Sequence, residues 1–159
     1  MHNALLHEQT AYTSSFRMFV SPKNEAKFYT RNQSITLKEI ATFDAKASTL
    51  SSVELFVASF MSSYLFTLKN EAKKEKILLD ELEARFTCTL ENPLALLNVI
   101  GFEDEAAIKS LQGDIFIYSE APSLALHTLC QNALKKSLLY KLLNTQCIDI
   151  SITPKIVTL

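Results

Sequence analysis

The spacing of apolar and polar side chains changes period along this chain, and each change marks an element. Between Ser14 and Ala45 the period is two. Phe16, Met18 and Val20 alternate with Ser15, Arg17 and Phe19, and Ser21-Pro22-Lys23-Asn24 supplies turn residues. Ala26, Phe28 and Thr30 then alternate with Lys27, Tyr29 and Arg31, followed by Ile35 with Leu37 and by Ala41, Phe43 and Ala45. Two or three antiparallel strands are predicted here, after a loosely ordered start over residues 1–11. From Ser51 the period becomes helical. Val53, Val57, Phe60, Met61, Tyr64 and Leu68 form one stripe, and Leu55, Ala58 and Phe66 cover most of the remaining circumference. A helix apolar nearly all round is predicted to be buried. Ser51-Ser52-Val53-Glu54 fits a capping box at its start. The lysines between Lys69 and Lys76 suit the negative end of its dipole.

Leu82, Ala84, Phe86, Cys88 and Leu90 next alternate with Glu81, Glu83, Arg85, Thr87 and Thr89, a strand with one wet and one dry face. After Asn92-Pro93 comes an apolar stretch of unassigned type, Leu94 to Phe102. Leu111, Gly113, Ile115 and Ile117 mark another strand. Pro122 opens a second helix, whose buried face is Leu126, Cys130, Ala133, Leu134, Leu138 and Leu142. Ile148, Ile150 and Ile152 alternate with Asp149, Ser151 and Thr153 in a last strand. There are no internal repeats. The order of elements predicts one mixed α+β domain over residues 1–159.

Composition narrows the function. With 159 residues, 48% of them hydrophobic, the chain has material for one core, and a mean hydropathy of +0.10 points to surface covered by a partner. Sixteen Lys+Arg against 17 Asp+Glu leave no concentrated basic face, so no nucleic-acid partner is expected. No segment reaches the roughly 20 apolar residues of a membrane span, and Met1 to Thr10 lack the pattern of a signal peptide. Three cysteines, Cys88, Cys130 and Cys147, at wide spacing fit neither a disulfide framework nor a zinc site and predict a cytoplasmic setting.

Chemistry is sparse. Only two glycines occur, Gly101 and Gly113, against about 7% in ordinary proteins, so no dinucleotide or phosphate loop can be built and no cofactor is expected. His2, His7 and His127 are scattered, so no metal is expected. A nucleophile such as Ser63 with His127 as base stays open through space.

One constellation is informative. Glu54-Leu55-Phe56-Val57-Ala58-Ser59-Phe60-Met61-Ser62-Ser63 resembles the opening of the central helix in the OsmC/Ohr family, the osmotically inducible and organic-hydroperoxide-resistance proteins. That family typically reads Glu-Leu-Leu-Leu-Ala-Ala-Leu-Gly-Ala-Cys at this point. The resemblance continues through the strand Leu82 to Leu90, the loop Asn92 to Asp104 and the strand Gly113 to Tyr118. Where the family's second helix carries a Cys/Ser-Pro-Val element, this chain has Ser137-Leu138-Leu139, with Leu142-Leu143 and the strand from Cys147 behind it. The match covers residues 48–157. It implies an OsmC-like fold in which antiparallel strands wrap a buried central helix, with a second helix near the C-terminus, in an intertwined homodimer.

In active members of that family a thiolate, held by an arginine and a glutamate, attacks the peroxide oxygen, and a second cysteine resolves the sulfenic acid. The resemblance puts the first cysteine at Ser63, the second at Ser137 and the glutamate at Val53; Arg17 and Arg31 are both candidates for the arginine. A serine hydroxyl is not a thiolate at neutral pH, so the family's chemistry is expected to be absent and Ser63, Ser137 and Val53 to be a vestigial site. Phe56, Phe60, Met61, Tyr64 and Cys130 are candidates to line an apolar pocket where the family leaves a gap between subunits. Simple core packing accounts for the same residues. The chain thus reads as a non-peroxidatic binding or stress-related module, a homodimer with a small apolar ligand as candidate partner. The alternatives are a peroxide reductase using a relocated thiol, Cys130, and a hydrolase using Ser63.

Overall fold

A computed structural model describes residues 13–22, 25–30, 32–44, 46–97, 99–101, 104–146 and 148–157. The loose start expected over residues 1–11, Arg31, Ala45, Phe102 and Cys147 lie outside these residues. The chain divides into two units, Met1–Ser51 and Ser52–Leu159.

In the first unit three short strands, β1 (Arg17–Val20), β2 (Ala26–Tyr29) and β3 (Ser34–Leu37), form an antiparallel meander in the order β1-β2-β3. Val20 faces Ala26 and Tyr29 faces Ser34 across the two pairings. Of the turn expected over Ser21 to Asn24, Lys23 and Asn24 lie outside the described residues; the Ser21 N–H donates to the Glu25 carbonyl at 2.9 Å. The alternation continuing through Ala41 and Phe43 does not make a strand; residues 41–44 run as a bend and irregular chain, and among the described residues Leu50 adds a single bridge to Leu37. With few residues and no sheet neighbour over 41–44, a period of two reads the same in an extended loop as in a strand.

The second unit holds a long helix, α1 (Ser52–Lys74), two long strands, β4 (Glu81–Glu91) and β5 (Ala107–Tyr118), helices α2 (Ser123–Lys136) and α3 (Leu138–Leu143), and a last strand, β6 (Asp149–Val157). The apolar stretch after Asn92 becomes a 3-10 helix, Pro93–Leu97. α1 ends in a tight reversal. The Ile77 N–H reaches the Ala72 carbonyl at 2.9 Å, the Lys76 N–H reaches Lys73 at 3.3 Å, and Lys76 takes a left-handed φ of 56°.

Strand order in the second sheet is β4-β5-β6. β4 and β5 are antiparallel, with a register shift between Thr89 and Leu90, but β5 and β6 are parallel. The antiparallel strands that the resemblance implies are present in β1-β2-β3 and in β4-β5, while β5 and β6 run parallel. A parallel neighbour needs a crossover, and α2 with α3 supplies it. Pro154, which donates no ladder hydrogen bond, is tolerated because β6 is the edge of the sheet.

The inner sheet face and the helices share two clusters. Tyr64, Leu68 and Ala72 of α1 pack with Ile115 and Ile117 of β5 and with Leu126, Leu129, Cys130 and Ala133 of α2. Phe60, Leu111 and Leu143 form the second cluster, joined by Phe56, Val57, Phe86 and Cys88. α1 is buried along this stripe, whereas Ala58 is exposed and Phe66 is 66% exposed, so within one chain part of its apolar circumference stays open. At mid-sheet Gly113 lies opposite Phe86. A Cβ on Gly113 would come 2.6 Å from the Phe86 ring, which meets Phe60 edge-on at 5.8 Å between centroids.

Candidate functional site

Ser63 sits midway along α1, half-buried, on the side that faces α2 and α3. Its backbone is regular helix, and its carbonyl accepts the Thr67 hydroxyl at 2.7 Å. On the same helix the Ser59 hydroxyl returns to the Leu55 carbonyl and the Ser62 hydroxyl to the Ser59 carbonyl, so these hydroxyls are satisfied within their own turn. The Ser63 hydroxyl instead leaves the helix and meets the Ser137 hydroxyl, with 3.3 Å between the oxygens.

Ser137 is placed by a break in the chain. The apolar period of the second helix runs from Leu126 to Leu142, and one helix was expected; the structure has two, separated at Ser137, whose φ of −61° and ψ of 125° are extended. Its N–H closes α2 on the Ala133 and Leu134 carbonyls, and its carbonyl accepts the Lys141 N–H at 3.1 Å as α3 begins. Serine is a preferred residue at such a helix start. Here its hydroxyl makes no cap bond to the helix, which leaves it to Ser63. Ser137 is fully buried.

The structure thus brings together Ser63 and Ser137, two hydroxyls to which, among the described residues, no base or thiol is hydrogen-bonded. Val53 is half-buried in the first turn of α1. It stands ten residues, about 15 Å along the helix, from Ser63, and its isopropyl group has no proton chemistry. His127 is ten residues, about 15 Å along the other helix, before Ser137; it is exposed beside Tyr64, and among the described residues no hydrogen bond joins it to Ser63 or Ser137. Arg17 lies on β1 in the other unit, its guanidinium 5.8 Å from the centre of the Tyr29 ring.

The pocket candidates fall into two groups. Tyr64 and Cys130 meet directly, with the Tyr64 hydroxyl donating to the Cys130 carbonyl at 3.4 Å, and they share a cleft of about 120 Å³ with His127, Gln131 and Pro154. Phe60 is buried in the second cluster, with Phe56 half-buried against it, and Met61 is half-buried. Burial raises the Tyr64 hydroxyl well above the phenol range, with the neighbouring Cys130 adding to it. Burial also pushes the Cys130 thiol up, against a smaller opposing effect of its hydrogen bond with Tyr64, and pushes Cys88 up as well. A thiol in that state is protonated at neutral pH and a poor nucleophile. Cys130 is seven residues before Ser137, about 10 Å along α2.

One polar group of weight was missed in the sequence. The Glu71 carboxylate is 4% exposed and bridges the helices, bonded to Lys74 at 2.6 Å and to Lys136 of α2. Those bonds, Lys136 first, hold Glu71 below the usual carboxylate range. The spacing of Glu71 and Lys74 was legible as a helical ion pair, but nothing marked Lys136 as its second partner. Among the described residues no group of His, Cys, Asp or Glu is placed to hold a metal ion, and no helix is long and apolar enough to cross a membrane.

A long helix on a three-stranded sheet, with a second helical segment breaking at a residue that meets the first, makes this an α+β protein with its helices packed on one sheet. The family model for the OsmC-like proteins matches residues 45–153, and the chain belongs to that family. Solved structures agree on the fold. The OsmC-like protein of Mycoplasma pneumoniae is 14% identical, with a TM-score of 0.76 over 92% of this chain and 98% of its own. A stress-induced and detoxification response protein of Psychrobacter arcticus is 13% identical, at 0.70 over 92% and 99%. The organic hydroperoxide resistance protein OhrB of Bacillus subtilis is 12% identical, at 0.66 over 91% and 98%. Among curated protein sequences none matches this chain.

Proposed function

We propose that this protein is a non-peroxidatic member of the OsmC-like family, a stress-related binding module of the cytoplasm that works as one domain over residues 1–159. The observation that carries this is the Ser63–Ser137 hydroxyl contact. Two positions 74 residues apart meet where the family resemblance puts the peroxidatic and resolving cysteines, and both are serine. A hydroxyl couple keeps the packing of the site and loses its electron chemistry, since no thiolate forms and no disulfide can close. The relocated-thiol alternative gains little support, because Cys130 is buried with its thiol pushed up. The hydrolase alternative gains little support too, because the partner of Ser63 is another hydroxyl rather than a base.

The same proposal includes a homodimer with an apolar cavity at its interface. Its support is the apolar surface that one chain leaves bare on α1 and α3, at Phe66, Leu138 and Leu142. An obligate interface of the family kind buries more than about 2,000 Å² and resembles a divided core. Phe56 and Met61, half-buried in one chain, are then the side chains placed to line the cavity, with Phe60, Tyr64 and Cys130 behind them.

Native mass spectrometry of gently purified protein tests both parts. A species at twice 17.9 kDa carrying a small apolar molecule, released on denaturation, is expected. A monomer whose melting temperature does not change with concentration would remove the interface and its cavity together.

A further inference from the structure

The end of α1 carries a second cleft, six to ten residues beyond Ser63 and so about 9 to 15 Å further along the helix axis. It has a volume of about 370 Å³ and is lined by Lys69, Lys73, Ala72, Ile77, Leu78 and Leu79, with Asn70 beside them. The reversal after Lys74 makes it. Because the Ile77 N–H returns to the Ala72 carbonyl, the segment Ile77 to Leu79 folds back along the last turns of its own helix. Buried Ala72 is small enough to leave a hollow there, with half-buried Ile77 and Leu79 beside it. Leu78 stands at the rim, 74% exposed, and its backbone is fixed by the Ser119 hydroxyl, which donates to the Leu78 carbonyl at 2.6 Å.

Two exposed cations flank this apolar hollow. Lys69 and Lys73 are four residues apart and so lie one above the other on the helix. Among the described residues neither has an ion-pair partner; Lys74 and Lys136 are the lysines that neutralise Glu71. A basic last turn ordinarily balances the helix dipole, worth about half a negative charge. Two unpaired lysines exceed that, and dipole balance does not account for an open leucine beside them.

We propose that this cleft binds a small, freely dissolved amphiphile with an apolar body and a single anionic head, such as a medium-chain alkyl carboxylate. The tail lies on Ile77, Leu78 and Leu79 and the carboxylate between Lys69 and Lys73. The volume is at the low end of the roughly 300–1,000 Å³ of small-molecule sites, which suits one short chain. The apolar wall gives affinity by removing the tail from water, and the lysines give selectivity by charge. The site is separate from the serine pair and does not rest on the function proposed above.

The test titrates the full chain with decanoate, decan-1-ol and decyltrimethylammonium below their aggregation concentrations, followed by calorimetry and by amide chemical shifts. Decanoate is expected to bind at least tenfold more tightly than the other two, with shifts centred on Ala72 and Ile77 to Leu79, and to weaken as salt is added. Lys69→Gln with Lys73→Gln, both at exposed positions, is expected to weaken decanoate tenfold or more and leave decan-1-ol unchanged. Equal affinity for all three probes would overturn the proposal, as would shifts centred on Ser63 and Ser137. Association with anionic phosphatidylglycerol vesicles in the absence of any decanoate binding would assign the cations to a membrane surface instead.

Discussion

The Ser63 and Ser137 side-chain oxygens lie 3.3 Å apart, and the burial of Ser137 makes each the other's concern. Removing the Ser63 hydroxyl strands the buried Ser137 hydroxyl, whereas half-buried Ser63 keeps access to water. Ser63→Ala is therefore expected to lower stability by about 1 kcal/mol, and the double change Ser63→Ala with Ser137→Ala to cost less than the sum of the two single ones. Denaturant unfolding of the four species checks this. Strict additivity would mean that the hydroxyls do not interact.

Gly113 is held to glycine by Phe86. A methyl group there meets the ring at 2.6 Å, and the ring is backed by Phe60. Gly113→Ala is expected to destabilise by about 1–3 kcal/mol through overpacking. Phe86→Leu, which withdraws the ring, is expected to recover part of that loss when the two are combined. Thermal melts of both single variants and the pair measure the recovery, and a pair as unstable as the sum of the singles would place the strain elsewhere.

Glu71 gives the fold an acid-sensitive clasp. Its folded pKa is lowered by Lys136 and Lys74, so the unfolded chain takes up the proton first as pH falls. The stabilisation is complete above the ordinary carboxylate pKa of about 4.3 and is lost as pH drops from there through the lowered folded value. Glu71→Gln is expected to flatten the stability profile in that acid window while leaving its shape near neutrality unchanged. An unchanged acid limb in the variant would show that other carboxylates set it.

Lys76 occupies the left-handed position that closes α1, with φ at 56°. Glycine adopts that conformation without a steric cost, whereas a side chain pays about 1 kcal/mol for it. Lys76→Gly is expected to raise stability by up to about that amount, less the entropy that glycine adds to the unfolded chain. A lower melting temperature would indicate that the lysine side chain makes a contribution larger than the strain.

Much of the second unit was legible because its patterns are long. Five alternating pairs predict β4, and six apolar positions at helical spacing predict α1. The direction of β6 was not legible, since alternation has the same period in parallel and antiparallel strands. The break at Ser137 was hidden because Leu138 and Leu142 continue the apolar period of Leu126 and Cys130, although Leu138 and Leu142 prove exposed. The meeting of Ser63 with Ser137 came from the family resemblance alone, as serines carry no pattern of their own. Glu71 carries no mark of its own in the sequence, because its partner Lys136 is 65 residues away.

The central claim is that serines stand at the two redox positions and that the peroxide chemistry has gone with the cysteines. Its most direct measurement is the steady-state reduction of hydrogen peroxide and cumene hydroperoxide by a dithiol, in the native protein and in a variant with Cys88, Cys130 and Cys147 all changed to Ser. Turnover equal to a buffer blank is expected in both. Turnover well above the blank that disappears with Cys130→Ser would restore the relocated thiol, and turnover that persists without any cysteine would contradict the account outright.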